Sequence, residues 1–336
     1  VSMRAWRVPR YGPFAEVLEV ADVPRPEPGP GETRVRVAAA ALNFADILHC
    51  AGEYQERIPP PFTPGLEVAG TTDDGRRVFG PVSLPHGGFA QEALLRTTWP
   101  WPAGMSAAQA AGFFVSYQTG WCALHHRTSL RAGETLLVLA AAGGVGLAAV
   151  QLGRAAGARV IGVVGDEAKA SVVRDAGAEV LVAPGDTAPR GEHAERGAGP
   201  SGTDLVAAVR ELTDGRGADV VYDPVGGDSF DTARRVVAWE GRLLVIGFAG
   251  GRIADAPTNH ALVKNYAVVG VHWAAYRERA PELVAAWQRE IEALWERRAI
   301  DPLVGAEYAF DDLPTAMAQL QARRTTGRVV LRAPDR

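Results

Sequence analysis

The spacing of hydrophobic positions changes character near residue 130. Before it, short alternating runs such as residues 33–37, TRVRV, are bounded by turn clusters such as PRPEPGPGE, a pattern that predicts a β-rich domain. Beyond it, compact apolar runs alternate with Ala-rich segments of helical period, which predicts a parallel sheet with helices on both faces. The predicted strands are 135–140, 159–164, 180–183, 218–222, 242–247 and 267–272, enough for a complete doubly wound unit. After an amphipathic helix near 281–298, residues 306–333 read as a strand, a helix and a last strand from Arg328, expected to rejoin the first domain. Residues 184–203 have loop composition and read as a mobile surface loop, longer than connections in such sheets usually are.

A chain of 336 residues exceeds the usual size of one domain, so two are expected. Apolar residues make up 47% and charged residues 22%, the balance of a soluble globular protein. The 35 Lys and Arg against 39 Asp and Glu leave a net charge of −4, which argues against a nucleic-acid partner. Cys50 and Cys122 cannot build a four-thiolate zinc lobe or a disulfide framework. No long uncharged apolar run and no charged-then-apolar leader is present, so the expectation is a cytoplasmic protein without a membrane partner.

Residues 136–146, LLVLAAAGGVG, carry the clearest chemistry. They read as a buried strand, a tight turn and a helix whose first N–H groups face a dinucleotide pyrophosphate. Gly143 allows close approach to phosphate, Gly144 and Val145 open the helix, and Gly146 lets it pack tightly on the sheet. Ala141 stands where the usual fingerprint has its first Gly. The next strand ends at Val164 and Gly165 without the carboxylate that binds ribose hydroxyls in NAD enzymes, which favours NADPH. The segment VIGFAGG places Gly247 and Phe248 at the carboxyl edge of the sheet, where a nicotinamide would lie. Asp223 reads as a turn residue.

The segments ALNFADILHCAGEYQ (41–55), PFTPGLEVAG (61–70), SYQTGWCAL (116–124), AAAGGVGLAAVQLGRAAGARVIGVV (140–164), GADVVYDPVGG (217–227) and TGRVVL (326–331), in this order and spacing, resemble the medium-chain dehydrogenase/reductase superfamily over nearly the whole chain. Within it they resemble the zinc-independent NADPH:quinone oxidoreductase branch, which is zeta-crystallin-like. The resemblance implies an α/β fold: a GroES-like β-rich catalytic domain, residues 1–122 and 300–336, and a doubly wound six-stranded parallel Rossmann domain, residues 123–299, with the active site in the cleft between them. It also implies a homodimer through the last Rossmann strand, residues 268–271.

Zinc alcohol dehydrogenases of that superfamily hold a catalytic ion with Cys and His. The resemblance puts Asn43 at the first ligand position, Leu66 at the His of Gly-His-Glu and Val115 near the third, so no metal is expected. Glu67 reads as a structural hydrogen-bond acceptor. Without a Lewis acid the acceptor should be a conjugated carbonyl, most plausibly a quinone, whose developing oxyanion a few donors can stabilise. The resemblance places Asn43 and Tyr54 at the cleft for that role, with Tyr54 also able to deliver a proton. It likewise gives Lys169 and Arg323 as contacts to the adenosine phosphate of NADPH, with Arg190 and Arg196 in the long loop as further candidates. The alternatives are an enoyl reductase acting on an α,β-unsaturated thioester or ketone, and an NADPH-binding protein without significant catalysis.

Overall fold

The computed structural model describes residues 2–183 and 202–334. They divide into two compact units, Val1–Val115 with Pro302–Arg336, and Ser116–Asp301. The expected loop 184–203, with Arg190 and Arg196, lies outside the described residues as far as 201; the helix Gly202–Leu212 begins at its end.

In the first unit β1 (Ser2–Arg7) and β2 (Glu19–Pro24) form an antiparallel ribbon. The alternating run at 33–37 opens β3 (Thr33–Leu42), whose last four residues are continuously buried and Ala-rich. Small side chains there let the helix Ala107–Ala111 lie close across the sheet. The strands β4 (Glu67–Thr72), β5 (Arg77–Pro81), β6 (Glu92–Leu95) and β7 (Trp99–Pro100) follow. Trp6, Val35, Phe62, Val68, Phe89 and Leu95 centre the core of this unit.

The second unit is a six-stranded, wholly parallel sheet in the order β10-β9-β8-β11-β12-β13. Its strands are β8 (Thr135–Val138), β9 (Arg159–Val164), β10 (Glu179–Val182), β11 (Ala218–Asp223), β12 (Val237–Val245) and β13 (Ala267–Gly270). The doubly wound Rossmann fold expected from the sequence is therefore present, with its switch point between β8 and β11. Strand ends differ in detail. β8 stops at Val138 because Ala140 takes a left-handed φ of +49°. β12 begins at Val237, ahead of a register shift around Glu240 at φ +57°.

The chain then returns to the first unit with β14 (Val304–Tyr308) and β15 (Arg328–Arg332), completing a sheet in the order β14-β15-β3-β4-β5-β7, with β6 also on β3. β15 and β4 flank β3 on its two sides, both antiparallel to it, with Val329 opposite Leu42 and Glu67 opposite Ala41. That register brings the start of β15, the end of β3 and the start of β4 to one end of the sheet. Among the described residues no helix is long and apolar enough to cross a membrane.

Candidate functional site

In the second unit the turn after β8 is pinned on both sides: Leu139 N–H donates to Tyr222 O of β11 at 3.0 Å and Ala141 N–H to Val163 O of β9 at 2.9 Å. Gly143 then N-caps the helix Gly144–Ala155 in an extended conformation, with no side chain over the first N–H groups. The positive end of that helix faces outward at the carboxyl edge of the sheet, the arrangement that binds phosphate. A Cβ on Gly146 would sit 2.4 Å from Ala140 O and 2.9 Å from Ala141 Cα, so this glycine lets the helix close onto its own turn. A Cβ on Gly143 would meet nothing nearer than Ala140 O at 3.4 Å. Among the described residues no contact under 3.4 Å requires Gly143 to lack a side chain. The left-handed residue of the turn is Ala140, one position before Ala141.

At the end of β9, Asp166 caps the helix Glu167–Asp175, accepting Lys169 N–H at 3.0 Å, and its carboxylate lies 3.3 Å from Lys169 Nζ. The carboxylate is thus held by its own helix and by the lysine. Asp223 Oδ1 accepts the N–H groups of Val225 and Gly226 at 2.9 and 3.0 Å, the turn role read from the sequence; burial pushes its carboxyl up to about 6. Gly226, at φ +70°, leaves room for the half-buried Phe248: a Cβ there would stand 3.3 Å from Phe248 Cδ1 and from Gly247 O.

In the first unit Arg323 follows the helix Leu313–Gln321 at φ +56°. Arg323 N–H donates to Leu320 O and Arg324 N–H to Gln319 O, both at 3.0 Å, the double closure of a Schellman end whose left-handed position usually holds Gly. Burial brings the Arg323 guanidinium down to about 10.

Asn43 follows β3 and N-caps the helix Phe44–Ala51. Its N–H donates to Asp46 Oδ2 at 2.7 Å, and Asp46 Oδ1 accepts Gly65 N–H at 3.1 Å, so one carboxylate ties the helix start to the segment before β4. Burial pushes the Asp46 carboxyl up to about 7, opposed by those two N–H donors and aided by the nearby Glu67. The Asn43 side chain is engaged on both sides. Its Oδ1 accepts from Arg328 Nη1 and Nη2, each at 3.1 Å, and its Nδ2 donates to Glu67 Oε1 at 3.2 Å and, at a long 3.4 Å, to Ala41 O. Arg328 Nη2 also donates to Glu67 Oε1, and Glu67 Oε2 accepts Val115 N–H at 2.8 Å. Asn43, Asp46, Glu67 and Arg328 are all buried. Burial raises the Glu67 carboxyl, and Arg328 is the largest influence drawing it back.

Tyr54 lies just past the left-handed C-cap Gly52 of the same helix, its ring 4.4 Å from that of buried His49. Burial lowers His49 to about 4, so it is neutral at physiological pH. About 12 Å of helix rise separates the Asn43 cap from the end that leads to Tyr54. Sequence reasoning named Glu67 only as an acceptor and gave Arg328 and Asp46 no part. The available signal for Arg328 was a cation opening the otherwise apolar strand residues 329–331.

Residues 29–83 match the family described as alcohol dehydrogenase GroES-like domain, and residues 144–289 the family described as zinc-binding dehydrogenase. The chain is 37% identical to quinone oxidoreductase-like protein 2 of Bos taurus, over 86% of this chain and 82% of that one. The chain belongs to the quinone oxidoreductase-like branch of the medium-chain dehydrogenase/reductases. Among solved members of the superfamily, a mycobacterial protein complexed with NADPH superposes with a TM-score of 0.88 at 29% identity, covering 98% of this chain and 99% of that one. The quinone oxidoreductase of Thermus thermophilus, also described in complex with NADPH, gives 0.79 at 32% identity, covering 98% and 100%. The GroES-like domain expected from the sequence is thereby present too. The description of one matched family names zinc, yet the donors in this branch member do not fit it. The Asn43 amide oxygen is committed to a guanidinium, Leu66 and Val115 offer no donor side chain, and Arg328 puts a positive charge against the Glu67 carboxylate.

Proposed function

We propose that this chain is an NADPH-dependent reductase that works without a metal and passes hydride to a quinone. The observation that carries the reading is the buried cluster in which an amide, Asn43, rather than a Cys or His, is held between Arg328 and Glu67. A site without a Lewis acid suits an acceptor whose conjugation already spreads the developing charge. NADPH, when bound, supplies the hydride. The helix start at residues 143–146 holds the pyrophosphate, Ala141 shapes the turn beneath it, and Lys169 and Arg323 meet the adenosine phosphate. Phe248 and the Gly247 backbone flank the ring. Asn43 Nδ2, on giving up its long bond to Ala41 O, and the Tyr54 hydroxyl donate to the acceptor oxygen, and Tyr54 delivers a proton directly or through water.

The NADPH complexes of two superfamily structures and the name of the Bos taurus relative support cofactor and reaction class. Among the described residues β13 is an edge strand, and there the exposed Val268 supports a homodimer formed by strand pairing; two free, buried cysteines suit the cytoplasm.

The test is oxidation of NADPH and NADH by benzoquinone, phenanthrenequinone and an enoyl thioester, before and after chelator. Chelator-resistant, NADPH-selective quinone turnover is expected. Preference for the thioester moves the chain to the enoyl reductases, binding without oxidation makes it a cofactor-binding protein, and loss with chelator overturns the metal-free reading.

A further inference from the structure

In a Rossmann sheet the carboxyl end of the second strand meets the adenosine ribose, and an acid there that accepts the ribose hydroxyls selects NAD. In the second unit that strand is β9, which ends at Val164, and Asp166 follows two positions later as the N-cap of the helix Glu167–Asp175. Both oxygens of its carboxylate are engaged by that helix. Oδ1 accepts Lys169 N–H at 3.0 Å, and Oδ2 lies 3.3 Å from Lys169 Nζ. The neighbouring Glu167 is drawn along the helix instead, to Arg174 at 2.7 Å. The cation assigned above to the adenosine phosphate therefore already holds an anion of this chain.

The two contacts of Asp166 are chemically separable. The bond to the Lys169 N–H is a helix cap, which Asn or Ser makes as well as Asp. The approach to Nζ needs the negative charge. The Asp166 side chain is 52% exposed and that of Lys169 19%, so water screens the pair and it contributes little to stability. A phosphate monoester carries more charge than a carboxylate and three strong acceptor oxygens, enough to take the ammonium away. Doing so breaks the pair and brings a second anion up to Asp166, so the phosphate gains less than the lysine alone would give it.

We propose that Asp166 is a specificity-determining residue that works against the phosphorylated cofactor: its carboxylate occupies Lys169, and NADPH must displace it to reach the ammonium. The proposal rests on the reading above in which Lys169 meets the adenosine phosphate. NADH, which lacks that phosphate, leaves the pair closed. The ratio of the two affinities is thus set by the ion pair and not by Lys169 alone.

The test is a double-mutant cycle read by binding. Dissociation constants of NADPH and NADH are measured by nicotinamide fluorescence, with Tm, for the wild type, Asp166→Asn, Lys169→Met and the double variant, at low salt and at about 0.5 M salt. Asp166→Asn keeps the cap, so Tm should hold within a few degrees. NADPH should bind at least about five-fold more tightly to it, and NADH should change by less than about two-fold. The gain should shrink in high salt. Lys169→Met should weaken NADPH no more than about three-fold in the wild-type background, where the lysine is occupied, and at least about ten-fold beside Asp166→Asn. Asp166→Ser, a second uncharged cap, repeats the measurement if the amide unsettles the helix.

Unchanged or weaker NADPH binding by both uncharged caps overturns the proposal, as do equal, sizeable losses from Lys169→Met in the two backgrounds. A fall in NADH affinity on Asp166→Asn shows the carboxylate serving the ribose and overturns it too. No effect of Lys169→Met on NADPH in either background is a distinct result: it takes Lys169 out of the phosphate site, so the underlying reading fails and the proposal with it.

Discussion

Arg328 and Asn43, 285 residues apart, meet through two hydrogen bonds of 3.1 Å to a single amide oxygen. The same guanidinium is the counter-charge of Glu67, whose carboxylate is fully buried. Removing one partner of a buried pair leaves the other uncompensated. Arg328→Met alone is expected to destabilise the protein by about 3–5 kcal/mol, measured as a lower urea midpoint. Adding Glu67→Leu should restore most of that loss.

Asp46 and His49 share one helix and oppose each other in pH dependence. The Asp46 carboxyl, raised by burial from 3.8 to about 7, contributes stability that is full below 3.8 and lost as pH rises to about 7. His49, lowered by burial from 6.5 to about 4, contributes stability that is present above 6.5 and lost as pH falls to about 4. Between these limits rising pH should favour Asp46→Asn over wild type by up to about 4 kcal/mol, and wild type over His49→Phe by up to about 3 kcal/mol. Urea unfolding of the three proteins across that window checks both signs.

The two glycines of the nucleotide turn should fail differently. Gly143→Ala places its Cβ in van der Waals contact with Ala140 O at 3.4 Å and at φ −76°, so the fold should keep its Tm within a few degrees while NADPH binding, read by fluorescence, weakens at least about ten-fold. Gly146→Ala drives a Cβ into Ala140 O and should lower Tm outright.

Arg323 occupies a left-handed position that Gly fills without strain. Arg323→Gly should therefore raise stability by about 1 kcal/mol while weakening NADPH binding. A gain in Tm with unchanged affinity would remove Arg323 from the cofactor site.

All six strands of the parallel sheet, the turn at residues 139–143 and the return of the chain through β15 were legible in the sequence. Each is written in a local period or in turn chemistry within a few residues. The displaced strand ends at Val138 and Val237 were not, because they follow from left-handed backbone at Ala140 and Glu240, residue types that do not announce it.

Asn43 and Glu67 could be named from their segments, but their shared partner could not. The amino-acid order determined which elements form and that Asn, Leu and Val stand at positions 43, 66 and 115. Only the antiparallel register of β15, β3 and β4 decided that Arg328 lies beside Asn43 and Glu67. Such a pairing depends on how strands distant in the chain align, and a one-residue slip would turn Arg328 to the opposite face of the sheet.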